Sequence, residues 1–164
     1  MRLQGKALKY GNDVDTDSII AGKYTKTLNI RELAEHAMED LDPDFGKKLQ
    51  PGGFLVAGSN FGCGSSREQA PLALQQAGVA CVVASSFARI FYRNAINIGL
   101  PLIECKVAGI DEGDVLRYEL GSDTLVNETK NAKCPIKPLP KIMINILTEG
   151  GLARYLKKFG DYEL

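Results

Sequence analysis

The chain has little histidine, no paired cysteines and no excess of either charge. Histidine occurs once in 164 residues, at His36. A Ser-His-Asp arrangement therefore has poor material. The four cysteines, Cys63, Cys81, Cys105 and Cys134, are scattered, and none forms a Cys-x-x-Cys pair. Single cysteines so spaced make neither a zinc nor an iron–sulfur site, so no metal is expected on this chain. Lys plus Arg total 20 and Asp plus Glu total 20, a balance without the basic surface that nucleic acid or an anionic membrane requires. No apolar run approaches the ~20 residues of a spanning helix. The first residues, MRLQGKALKYG, carry no signal-type apolar core. A soluble cytoplasmic protein is expected, with residues 1–164 as a single domain long enough to bury a proper core. The sequence shows no internal repeat and no low-complexity tract.

What is present concentrates in residues 58–67, GSNFGCGSSR, followed by Glu68 and Gln69. An apolar run leads in and a helix-like segment leads out. A strand, a glycine-rich turn and a helix start together aim backbone N–H groups at an anion. Ser65 and Ser66 add hydroxyls, and Arg67 adds a planar fork that matches a carboxylate or phosphate. The same residues also read as a capped helix, since Ser65…Glu68 and Ser66…Gln69 are overlapping capping boxes. Pro71 conflicts with an uninterrupted helix start. Cys63, inside the loop with no histidine nearby, reads as a tolerated small side chain. The loop does not end in Gly-Lys-Ser/Thr, which argues against a nucleotide P-loop.

Along the chain, alternation predicts a strand over 4–10. The block Asp13-Val14-Asp15-Thr16-Asp17 resembles the start of a calcium loop, but the later glycine and glutamate are missing. It reads instead as a turn with Asx caps. Helical spacing marks 30–40, with His36 off the apolar stripe and facing solvent. Strands are predicted over 54–59, 79–84 and 100–105. Helices 70–77 and 87–98 lie between them, ending at Gly78 and Gly99, with Ser85 and Ser86 capping the second. This is a parallel βαβαβ core. Cys81 and Cys105 fall in its apolar strands as reduced core residues. Short strands over 114–120, 124–127 and 133–136 suggest an antiparallel or barrel-like part. A helical region over 141–159 closes the chain, interrupted at Gly150-Gly151. Arg89 and Arg93 stand four apart on the second helix, either as a basic edge or as solvated arginines.

Three blocks, DVDTDSIIAGKY, GSNFGCGSSREQAPLAL and ASSFARIFYRNAINIGLPLI, occur in that order. Together they resemble the small subunit of 3-isopropylmalate dehydratase, itself similar to the swivel domain of aconitase. The resemblance implies an α/β swivel-like domain, a β/β/α arrangement with additional antiparallel strands. It implies a hydro-lyase of leucine biosynthesis, active only with a large subunit carrying a [4Fe–4S] cluster, in a heterodimer or higher assembly. Self-association of the isolated chain stays open. By motif position, Ser65 is the general base, Ser66, Gly64 and Arg67 hold substrate carboxylate, and Asp17 orients the network. The loop Thr25-Lys26-Thr27 takes part in substrate choice. Relatives that take a tricarboxylate tend to have a cation there, so homoaconitate remains an alternative to isopropylmalate, and a dimethylmalate-type substrate stays open beside it. A non-catalytic phosphate-binding module is the alternative of another class.

Overall fold

In the computed structural model, the structure describes residues 1–160. Seven strands form one sheet: β1 (Arg2–Lys9), β2 (Phe54–Ala57), β3 (Cys81–Ala84), β4 (Leu102–Glu104), β5 (Val115–Glu119), β6 (Thr124–Asn127) and β7 (Ala132–Pro135). Their order is β4-β3-β2-β1-β5-β6-β7. The β4-β3-β2-β1 half is parallel, and β1-β5-β6-β7 is antiparallel. The two edges approach each other. Cys105 bridges Ile136, and the Lys137 N–H donates to the Glu104 carbonyl at 3.0 Å. The sheet therefore curls toward a barrel.

Seven helices accompany it: α1 (Thr16–Ile19), α2 (Ile30–Glu35), α3 (Phe45–Lys48), α4 (Gln69–Ala77), α5 (Arg89–Asn97), α6 (Lys141–Thr148) and α7 (Leu152–Phe159). Strand alternation divides the apolar residues between two faces. Phe54, Val56, Cys81, Val83, Ile103, Leu116 and Tyr118 fill the inside of the curl. Leu55, Ala57, Val82, Ala84 and Leu102 face the other way, against Leu33, Ala73, Leu74 and Phe91 of the helices. Burial on both faces explains why β2 and β3 read as continuous apolar runs. The expected mixed architecture, with a parallel βαβαβ core and antiparallel strands beside it, is the one observed.

Several boundaries differ. The helix expected over 30–40 stops at Glu35, because Met38 takes φ +62° and its N–H bonds the Ile19 carbonyl at 2.8 Å. His36 is half-buried rather than solvated, stacked on Tyr24 at 4.0 Å between ring centroids. Neither capping box of the glycine loop forms. Glu68 is the residue before α4, and no side chain caps that helix. Pro71 is its third residue, where an N–H has no intrahelical partner to lose. Helix α5 starts at Arg89 rather than 87, and Ser86 does not cap it. Residues 85–88 stay outside the helix instead. Ser86 Oγ accepts the Asn60 N–H, and Phe61 pairs with Phe87.

Candidate active site

The loops after β1, β2 and β3 all leave the carboxyl ends of parallel strands, the usual place for a ligand crevice. They are stitched together by backbone bonds. The Gly62 N–H donates to Val14 at 2.7 Å, the Thr16 N–H to Cys63 at 2.8 Å, and the Ala88 N–H to Phe61 at 2.9 Å. Gly62 is forced by the packing. Its φ is +81°, and a Cβ there would lie 2.2 Å from Cγ of Phe91. That contact seats the first turn of α5 against the glycine loop.

Between loop and helix lies a cavity of about 310 Å³, lined by Gly64, Ser65, Ser66, Arg67, Arg89 and Asn94 among others. Ser65 and Ser66 are exposed to it. The Ser65 carbonyl is fixed by the buried Thr16, whose Oγ1 donates to it at 2.9 Å. The Ser65 hydroxyl has no hydrogen-bond partner among the described residues. The N–H groups of Gly64, Ser65 and Ser66 are likewise unused among them. Arg67 is aimed by two contacts, to Asp17 Oδ1 at 2.6 Å and to the Ile20 carbonyl at 3.3 Å. Gly22 lets the guanidinium lie close, since a Cβ there would sit 3.3 Å from both terminal nitrogens. Arg89 has no ion-pair partner among the described residues. The result is an open pocket with a free hydroxyl, three free amides and two cations, one of them not neutralised.

Burial, with Asp15 and Asp13 nearby, pushes the Cys63 thiol above its ordinary pKa. It stays a thiol at neutral pH, which makes it a poor nucleophile or metal ligand. Cys81 is fully buried inside the curl. Among the described residues, no three His, Cys, Asp or Glu side chains gather as a metal-holding group.

The aconitase C-terminal domain model matches residues 20–107. A 3-isopropylmalate dehydratase small subunit 2 of Archaeoglobus fulgidus is 54% identical and covers 100% of both chains. The chain belongs to the 3-isopropylmalate dehydratase small-subunit family. A family member from Halothermothrix orenii is 53% identical over 96% of each chain. The crystal structure of a 3-isopropylmalate dehydratase from Methanocaldococcus jannaschii superposes with TM-score 0.93 at 46% identity, covering 98% of this chain and 96% of that one. At 15% identity and TM-score 0.50, holo aconitase X of Thermococcus kodakaraensis shares the fold.

The structure brings Gly64, Ser65, Ser66 and Arg67 to one cavity, with Asp17 reaching it through Arg67. Thr25, Lys26 and Thr27 do not line the cavity. Their loop is tied to it by Gln69, whose Nε2 donates to the Thr25 carbonyl at 3.0 Å. Lys26 is exposed and has no ion-pair partner among the described residues. Thr16 carried no role in the sequence reading, although it stands between Asp15 and Asp17 of the DVDTD block. Arg89 was left open there between a basic edge and a solvated arginine, and its side chain lines this cavity.

Proposed function

We propose that this chain is the small subunit of a hydro-lyase that converts 2-isopropylmalate to 3-isopropylmalate by removing and returning water, a step of leucine biosynthesis. Residues 1–164 act as one swivel-type domain that closes over a large subunit in the cytoplasm. One observation carries the reading. An unpartnered hydroxyl, free loop amides and guanidiniums face the same open cavity, so a proton acceptor stands beside a seat for a dicarboxylate. The cavity is one half of an active site. The large subunit is expected to hold a [4Fe–4S] cluster, which supplies Lewis-acid assistance to the substrate hydroxyl when bound.

The residues of this chain do the remaining work. Arg67, Ser66 and the Gly64 amide hold a substrate carboxylate. Ser65 Oγ takes the proton from the carbon beside the departing hydroxyl's carbon and later returns one. A serine hydroxyl is far too weak an acid unless its charged form is strongly favoured. The guanidiniums of Arg67 and Arg89 and the free amides provide that positive field. Asp17 keeps Arg67 pointed at the cavity. The Thr25-Lys26-Thr27 loop stands outside the cavity, tied to it through Gln69, and takes part in substrate choice from there.

Reconstitution of this chain with its large subunit tests the reading. Turnover of both isopropylmalates is expected from the mixture and from neither part alone. Preference for homoaconitate or dimethylmalate in the same panel would move the substrate assignment. Nucleotide-dependent thermal stabilisation without turnover would make the chain a phosphate-binding module instead.

A further inference from the structure

A second hollow lies beside the first. It sits between α5 and α6, with a volume of about 810 Å³ against about 310 Å³ at Ser65. Its floor is apolar, built by Phe87, Ile142, Met143 and Ile146. Its charges are three cations, Arg89, Arg93 and Lys137, and one acid, Glu104. Glu104 is already taken, with its carboxylate 3.2 Å from Lys137 Nζ. Arg89 and Arg93 are exposed, with no ion-pair partner among the described residues. Chemistry of its own is lacking. The one acid is paired, and the Tyr92 hydroxyl turns to the Met143 sulfur at 3.7 Å. The groove is larger than a small dicarboxylate needs and offers it no reacting group.

We propose that this groove seats a segment of the large subunit that carries acidic side chains beside apolar ones. The inference rests on the reading that such a subunit works with this chain. Charge is the first argument, since two guanidiniums with no ion-pair partner among the described residues flank an apolar floor and match carboxylates next to apolar side chains. Continuity is the second. Arg89 lines both hollows, so a subunit that brings its reacting centre to Ser65 also covers the edge of this groove. Ile90, 49% exposed on the first turn of α5, adds apolar surface at the Ser65 cavity.

The test measures association and turnover separately. Arg93 lies outside the Ser65 cavity and is exposed, so Arg93→Glu leaves the fold intact. Arg93→Glu is expected to weaken binding of the large subunit about tenfold at low salt, with a smaller loss at high salt. Arg93→Lys should bind within about threefold of the parent. At saturating small subunit, turnover by Arg93→Glu should stay within about twofold. Amide exchange over 137–146 should slow on complex formation. Unchanged affinity of Arg93→Glu together with unchanged exchange over 137–146 would overturn the proposal. Concentration-dependent protection of those amides in the chain by itself would also overturn it, by placing a second copy in the groove. A complex that forms without turnover would sink the functional reading while leaving the groove measurable. Failure of the parent chains to associate would overturn both.

Discussion

Arg67 owes its aim to partners that neighbour it only in space, Asp17 and the Ile20 carbonyl. A lysine at 67 would keep the charge but could not span both contacts and a carboxylate. Arg67→Lys is therefore expected to lower kcat/KM about a hundredfold, with little change in the denaturation midpoint. Equal losses of activity and stability would instead make Arg67 a structural residue. Cys63 predicts the opposite outcome. Its raised pKa keeps it protonated at pH 7, so Cys63→Ala should retain turnover within about threefold and the native thiol should resist alkylation there. The contiguous residues Gly64 to Arg67 were legible because one motif carries them. Thr16 was not, since its role is a bond to a carbonyl 49 positions away. Arg89 stayed ambiguous between a basic edge and a solvated arginine, because its value depends on the loop it faces.

The glycine loop and α5 are held together by the fit of Phe91 under Gly62. Gly62→Ala adds a Cβ where φ is +81° and within 2.4 Å of both Cβ and Cγ of the buried Phe91. It should cost about 2–4 kcal/mol, from backbone strain plus overpacking, and displace the first turn of α5 from Ser65. Urea titration reads the stability loss, and a change under 1 kcal/mol would show that the loop adapts. The elements themselves were largely readable. β2 and β3 are short apolar runs, and Gly78 and Gly99 end the two helices between the parallel strands as expected. Two of the errors fall at helix starts, and a third at the end of α2. Serines before α4 and α5 look like caps, yet Ser86 serves the Asn60 amide and Ser65 faces the cavity. At Ser86 a bond to a residue distant in sequence displaced local capping.

The molecule as a whole should lose stability in acid. Burial alone would raise the pKa of Asp114, whose side chain is 7% exposed. Bonds from the Asp111 amide, Asn127 and Lys130 outweigh burial and hold the carboxyl below its ordinary value. Asp42 is also held down, with burial opposed by Lys48 and Tyr10. Depressed carboxyls contribute stability above the unfolded value of ~3.9, and that contribution is lost as pH falls through their folded values. The denaturation midpoint should hold between about pH 7 and 5 and drop below about 4, and Asp114→Asn should reduce that drop. A midpoint unchanged down to pH 3 would contradict this. The curl that joins β4 to β7 was only partly legible, since strand spacing suggests a barrel-like part but not which edges meet. The account comes down to the hydroxyl at 65. In the two-subunit enzyme, Ser65→Ala should cut kcat for 2-isopropylmalate by about 10²–10⁴-fold while KM changes little and the subunits still associate. Turnover close to that of the unsubstituted enzyme would show that the proton is carried by another group.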